Sequence, residues 1–262
     1  MGNTAVAFNN VIKFATITAG SAEVNLPIEN LQNDLGAASA AWQTMAGVRA
    51  SAAGAYFTVT PIGPQTWRCF CLCRTNLTAA AVVTVSLYNN PSTLVYTGTA
   101  SAVVPGYGQA ILDAGQDYVA DYCVIEIDDP GNPGGFVNVP LAYAGPAWLP
   151  RVPMAWASTF GRNRKTDDFR TIGGQRYPTP RWSARSRQVV LDWIEGDEIW
   201  AEAGELDRIS GLGGNALIIP NVQSATISNE AIFGIIEVVT AISYQAGYAD
   251  CHRWQFGIEE RL

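Results

Sequence analysis

VIEIDDPGNPGGFVNVPLAYAGPAWLP, residues 124–150, carries three signals in one stretch. Val124, Ile125 and Ile127 form a short β-rich run. Asp128 to Gly135 is a dense series of turn residues in which no helix or paired strand can persist. From Phe136 to Tyr143 apolar residues alternate with small or polar ones, the period of a strand with one buried face. The stretch ends at Gly145, Pro146 and Pro150, where the composition changes. It reads as the last hairpin of one β domain, running into a hinge.

Toward the N-terminus the same pattern repeats. AYFTVTP is a strand stopped by Pro61, WRCFCLCRTN is another, and AAVVTVSLYNNP ends in an Asn-Asn-Pro turn. LVYTGTASAVV and ADYCVIEID follow. Strands of this length, with turns about every ten residues, signal a β-sandwich or jelly roll. LPIENLQNDLG reads as loop with one helical turn near Leu31, and Ala37–Ala41 is too short to nucleate a helix alone.

Composition agrees with an all-β chain. The 262 residues include 25 Gly and 14 Pro, scattered singly, with enough apolar residues for a substantial core. A net charge of −7 argues against general nucleic-acid binding, which needs a cationic surface. Neither a secretory signal nor an apolar run long enough to span a bilayer is evident, so a soluble protein made in a cytosol is expected. Five cysteines in a chain of this length do not read as a disulfide framework.

Beyond Pro150 the charge pattern shifts. Arg151, Arg162, Arg164, Lys165, Arg170, Arg176, Arg181, Arg185 and Arg187 form a basic block, and Asp192, Glu195, Asp197, Glu198, Glu202, Glu205 and Asp207 an acidic one. The blocks either pair with each other or solvent, or meet complementary blocks on neighbouring copies. FRTIGGQRYP reads as a hairpin turning at Gly173-Gly174. NALIIPN is a short buried strand stopped by Pro220, Gly234 marks a bulge, and Trp254, Phe256 and Ile258 share one face of the last strand. The division is 1–148 for a sandwich domain and 149–262 for a smaller β domain.

Several constellations invite chemistry. Cys69, Cys71 and Cys73 fall on one face of a strand, but lack a fourth ligand and the C-x-x-C spacing of a zinc site; small buried side chains between sheets are the better account. His252 is the only histidine and has no triad around it. Gly211–Ala216 matches G-x-G-x-x-A, yet the strand LIIPN follows where a helix is required. Asp128 and Asp129 read chiefly as turn formers, with calcium as the weaker alternative. Paired acids for glycoside chemistry need a defined separation that adjacent loop residues rarely give. Trp42, Trp67 and Tyr107 lie in or beside expected loops, where an exposed ring would stack on a sugar, although most tryptophans are core. No catalytic residues are assigned and no enzyme is expected.

Three segments taken together, ENLQND…AAWQT, CLCRTNLTAAAVVTVSLYNN and VIEIDDPGNPGGFVNVPLAYAGPAWLP, resemble the galactose-binding-like (discoidin-type) jelly roll of tail proteins in long-tailed bacteriophages. GNALIIPN, EAIFGII and WQFGIEE are similar to the β domain that follows it there. The resemblance implies a virion structural subunit of the tail tip or baseplate, made in the host cytoplasm. It would form a homo-oligomer around the tail axis among other phage tail proteins, with Arg162, Arg164, Lys165 and Arg170 as an assembly surface. It also implies contact with host-surface glycan, as part of that role or as a carbohydrate-binding module in its own right. No cluster of Arg, His and Asp in the loops is evident to grip a sugar, which leaves the jelly roll able to serve as a scaffold.

Overall fold

The computed structural model describes residues 3–33, 35–104, 106–155, 157–237, 240–244 and 250–261. The chain divides into two compact units: residues 1–150 with 216–231, and residues 151–215 with 232–262. The first unit is therefore discontinuous. A contiguous partition at 148/149 does not include the segment that returns to it from the second half.

In the first unit the strands are β1 (Ala5–Ala7), β2 (Thr16–Ala19), β3 (Trp42–Gln43), β4 (Tyr56–Thr60), β5 (Gln65–Cys73) and β6 (Val82–Asn89). They continue with β7 (Thr93–Thr99), β8 (Ala110–Ala120), β9 (Tyr122–Asp128), β10 (Asn138–Val139) and β11 (Leu141–Gly145). A five-stranded antiparallel sheet in the order β2-β4-β9-β6-β7 and a three-stranded sheet in the order β11-β5-β8 supply the core. The expected all-β sandwich is present. Alternation decides which side chains enter the core: Phe57 and Val59, Val83, Val85 and Leu87, Ile125 and Ile127, and Phe70 and Leu72 all pack there. Burying each such side chain contributes roughly 1.5–3 kcal/mol.

Residues 124–150 are not a hairpin. β9 pairs with β4 and β6 in the larger sheet, whereas β11 pairs with β5 in the smaller one. The turn-rich loop thus crosses between sheets, a gap of about 10 Å. Its polar groups bond across to other loops. The Asp129 carboxylate accepts from Thr78 N at 2.8 Å and Thr78 Oγ1 at 2.6 Å, and Asn132 Nδ2 donates to Asn76 O at 3.1 Å. Up to Trp148 the exit is bonded to the first unit. Val6 and Trp148 exchange two backbone hydrogen bonds of 2.8 Å, and Tyr143 OH donates to Pro146 O.

Cys69, Cys71 and Cys73 alternate with Phe70 and Leu72, so they leave the sandwich core and line the outer face of the smaller sheet. All three are buried there. The returning segment bonds to that side of the unit through Gln109 Nε2, which donates to Ser228 O and Ala231 O, both at 2.9 Å, while Ile111 N donates to Ser228 Oγ at 3.0 Å.

The second unit begins with β12 (Thr159–Arg170) and β13 (Arg176–Glu195). A helical stretch follows: α1 (Gly196–Glu198), a π-helical turn (Ile199–Ala203) and α2 (Gly204–Gly211). The chain then returns to the first unit with β14 (Asn215–Ile219), which pairs with β1, and α3 (Ile227–Glu230). β15 (Ile232–Glu237), β16 (Ser243–Tyr244) and β17 (Cys251–Glu260) close the chain. Here the sheet order is β15-β17-β13-β12, with β16 also on β17. Trp254, Phe256 and Ile258 are buried on one face, as their spacing predicts. At Gly234 a Cβ would lie 1.9 Å from Glu259 O, so close backbone approach, rather than a bulge, requires glycine. The Gly211–Ala216 loop follows a helix and precedes a strand, the reverse of the order a dinucleotide site needs.

Candidate functional site

Of the three aromatics chosen from sequence, two are structural. Trp42 and Trp67 are fully buried, and their indole N–H groups donate to Ser21 O at 2.9 Å and Ala120 O at 3.0 Å. Neither face can meet a ligand. The sequence places them next to turns, but each lies on a strand whose inward positions it fills. Tyr107 is half-buried in a turn, its backbone N–H donating to Val104 O at 3.2 Å.

The two aspartates are tied up by protein donors. Asp128 Oδ1 accepts from Ser51 N at 2.8 Å and Ser51 Oγ at 3.1 Å, and Asp129 is held as described above. Among the described residues no group of three or more His, Cys, Asp or Glu is placed to hold a metal. The sulfur and imidazole groups are equally withdrawn. Burial pushes the Cys69 thiol well up, with Asp113 adding to it, and burial pushes Cys123 up as well. Such thiols are protonated at neutral pH and poor nucleophiles. His252 is buried, with its ring 4.4 Å from that of Tyr244.

An accessible concave site of the first unit lies elsewhere. A cleft of about 300 Å³ is lined by Asn9, Asn10, Val11, Phe14, Pro61, Ile62 and Gln65. Phe14 is 84% exposed and ends a 3₁₀ turn over Val11–Lys13. That turn is clamped from behind. Asn10, itself buried, donates to Ala142 O at 2.9 Å and accepts from Ile12 N at 3.3 Å, and Gln32 Nε2 donates to Ala15 O at 2.9 Å. Across the cleft, Ile62 projects fully exposed from the Pro61–Pro64 loop. An apolar ring on a turn held by buried hydrogen bonds, beside the exposed amides of Asn9 and Gln65, presents a stacking face and uncharged donors and acceptors. Sequence reading missed this site. Its one legible signal is a branched apolar residue, Ile62, between two prolines and a glycine, where turn chemistry forces exposure.

In the second unit, Arg162, Arg164, Lys165 and Arg170 all lie on β12, which is exposed along its whole length. β12 and β13 pair from Thr159↔Gln188 to Arg170↔Arg176, turning through Gly173-Gly174. β17 covers β13 only from Ser186 onward. Among the described residues, 160–183 are therefore a two-stranded arm with no third strand, touching β17 at its base where Asn163 Nδ2 donates to Glu259. Residues opposite each other share a face, so Phe169, Tyr177, Lys165 and Trp182 lie on one side. Arg162, Arg164, Arg170 and Arg176 lie on the other.

No family model and no curated protein matches the sequence. Among solved structures, the chain is similar to a Streptococcus pneumoniae fucose-binding module, with 13% identity and a TM-score of 0.42 over 53% of this chain and 95% of that one. It is similar to the lectin domain of lectinolysin complexed with Lewis B antigen, with 10% identity and a TM-score of 0.42 over 52% and 95%. It is also similar to the family 32 carbohydrate-binding module from C. perfringens NanJ in complex with galactose, with 14% identity and a TM-score of 0.40 over 53% and 98%.

Proposed function

We propose that the first unit is a non-catalytic carbohydrate-binding module that takes a neutral sugar in the Phe14 cleft. The observation that carries this is the 84% exposed Phe14 ring, set on a clamped turn and lining one cleft with Ile62, with amides at the rim. A pyranose presents an apolar C–H face to stack on the ring and hydroxyls for the amides. The cleft lining carries no charged side chain, which favours an uncharged ligand. The buried, protonated Cys69 and Cys123 thiols and the buried His252 are consistent with binding in place of catalysis. Glycan-array binding by the intact protein, weakened about tenfold or more by Phe14→Ala, is the expected result, a loss of ~1.4 kcal/mol. An array with no hits overturns the proposal.

A second reading has its own support in the exposed arm of residues 160–183. An isolated two-stranded hairpin is at best marginally stable in water, so a long one is expected to act against another surface. This favours a structural subunit that assembles in several copies. The setting suggested by the sequence resemblance is the tail tip or baseplate of a phage virion, where a glycan-binding sandwich would touch the host surface. An electron-microscopy map of such particles with this chain at the distal tail is expected; particles that lack it yet assemble and infect normally would sink the idea.

A further inference from the structure

We infer that the basic arm of one copy docks on the acidic end of the second unit of another copy, a head-to-tail contact between identical chains. The inference rests on the assembly reading and names its partner surface.

Charge is the first ground. Residues 160–183 hold six basic and two acidic residues, net +4, which leaves −11 on the rest of the chain. Arg176 and Arg181 are paired with the arm's own Asp168 and Asp167. Arg164, Lys165 and Arg170 are exposed and have no ion pair among the described residues. By contrast, residues 192–207 hold seven acidic residues and no basic one.

Distance is the second. The two blocks sit at opposite ends of one strand. From Arg176 to Glu195 β13 runs through 20 residues, roughly 60 Å at ~3.3 Å per residue. The arm tip of a chain cannot reach its own acidic end, so within one chain the arm's basic residues cannot pair there, although Arg151 of the same basic block does.

The third ground is the acidic end itself. A cleft of about 580 Å³ there is lined by Trp193, Glu195, Asp197 and Asp250, and it already holds one guanidinium. Arg151 contacts Glu195 through Nη1 and Asp197 Oδ2 through Nη2 at 2.7 Å. On the helical stretch that follows Asp197, Trp200 is 81% exposed, a flat surface on which a further guanidinium can stack. Because donor and acceptor surfaces differ, the contact is heterologous: repeated, it closes into a ring or extends as a filament.

The chain has two lysines, Lys13 and Lys165, which makes the test sharp. Carbodiimide joins a lysine amine to a contacting carboxylate. In a mixture of ¹⁴N- and ¹⁵N-labelled intact protein at 50 mM salt, mixed-isotope links from Lys165 to carboxylates in 192–207 are expected. Sedimentation should show multimers whose dissociation constant rises about tenfold or more at 500 mM salt and in the triple variant Arg164→Glu, Lys165→Glu, Arg170→Glu. Circular dichroism confirms that the variant folds. A wild-type monomer at 50 µM and low salt would overturn both the assembly reading and this inference. Multimers that persist in the folded variant, with Lys165 linked elsewhere, would leave assembly standing and overturn the arm contact.

Discussion

Trp42 and Trp67 show how one residue type can mislead at the scale of a side chain. Both sit near turns in the sequence, yet both are sealed in the sandwich with their N–H groups satisfied. Trp67→Ala is expected to cost ~3–5 kcal/mol in urea unfolding, by cavity formation, whereas Phe14→Ala should leave stability within ~0.5 kcal/mol. The cysteines make a second residue-scale prediction. All five are buried, so Ellman's reagent should find almost no reactive thiol in the native protein at pH 8 and five after unfolding in guanidinium. Glu202 makes a third. Burial, with Glu198 nearby, raises its pKa above the ordinary value. A raised carboxylate favours the folded state when protonated, so that contribution is present below about pH 4.5 and lost as pH rises through the folded-state value. Glu202→Gln should therefore raise Tm by ~1–3 °C at pH 7 and by less at pH 4, read by calorimetry.

At the scale of elements, the instructive case is the loop between β9 and β11. Turn chemistry correctly marks where the strands stop, but it does not say whether the next strand returns to the same sheet. Asp129 supplies the answer: it closes a local turn, accepting from Asn132 N and Nδ2, and its carboxylate also bonds across to Thr78. Removing its carboxylate in Asp129→Ala takes the acceptor from two part-buried donors on Thr78 and from one N–H of the buried Asn132 amide and is expected to cost ~2–4 kcal/mol in urea unfolding. The arm behaves differently because, among the described residues, no third strand pairs with it before Ser186. Gly174 has φ +82°, so Gly174→Val strains the turn by ~1 kcal/mol or more. That change should speed tryptic cleavage at Arg170 and Arg176 while shifting the main thermal transition by less than about 1 °C.

For the whole molecule, the decisive feature is the return of residues 216–231 to the first unit. β14 pairs with β1, and Ser228 satisfies Gln109 and Ile111. A chain ending at Pro150 would lose these partners and uncover apolar surface. It is expected to bind the dye ANS and aggregate, and a version with 216–231 joined by a flexible linker should do neither.

The sequence by itself determined the class of structure. Period-two alternation, β-branched runs and Gly/Pro punctuation act between near neighbours, so strands, stops, the Gly173-Gly174 hairpin and the buried face of β17 could be read from them. Its charge blocks were equally legible, because charge needs no fold to be counted. Only the tertiary structure decided which strands share a sheet, which tryptophans are core, that Phe14 and Ile62 line one cleft, and that the basic arm and the acidic block lie at opposite ends of β13. Those facts depend on contacts between residues far apart in the chain, where packing and hydrogen-bond partners, not local propensity, select the arrangement.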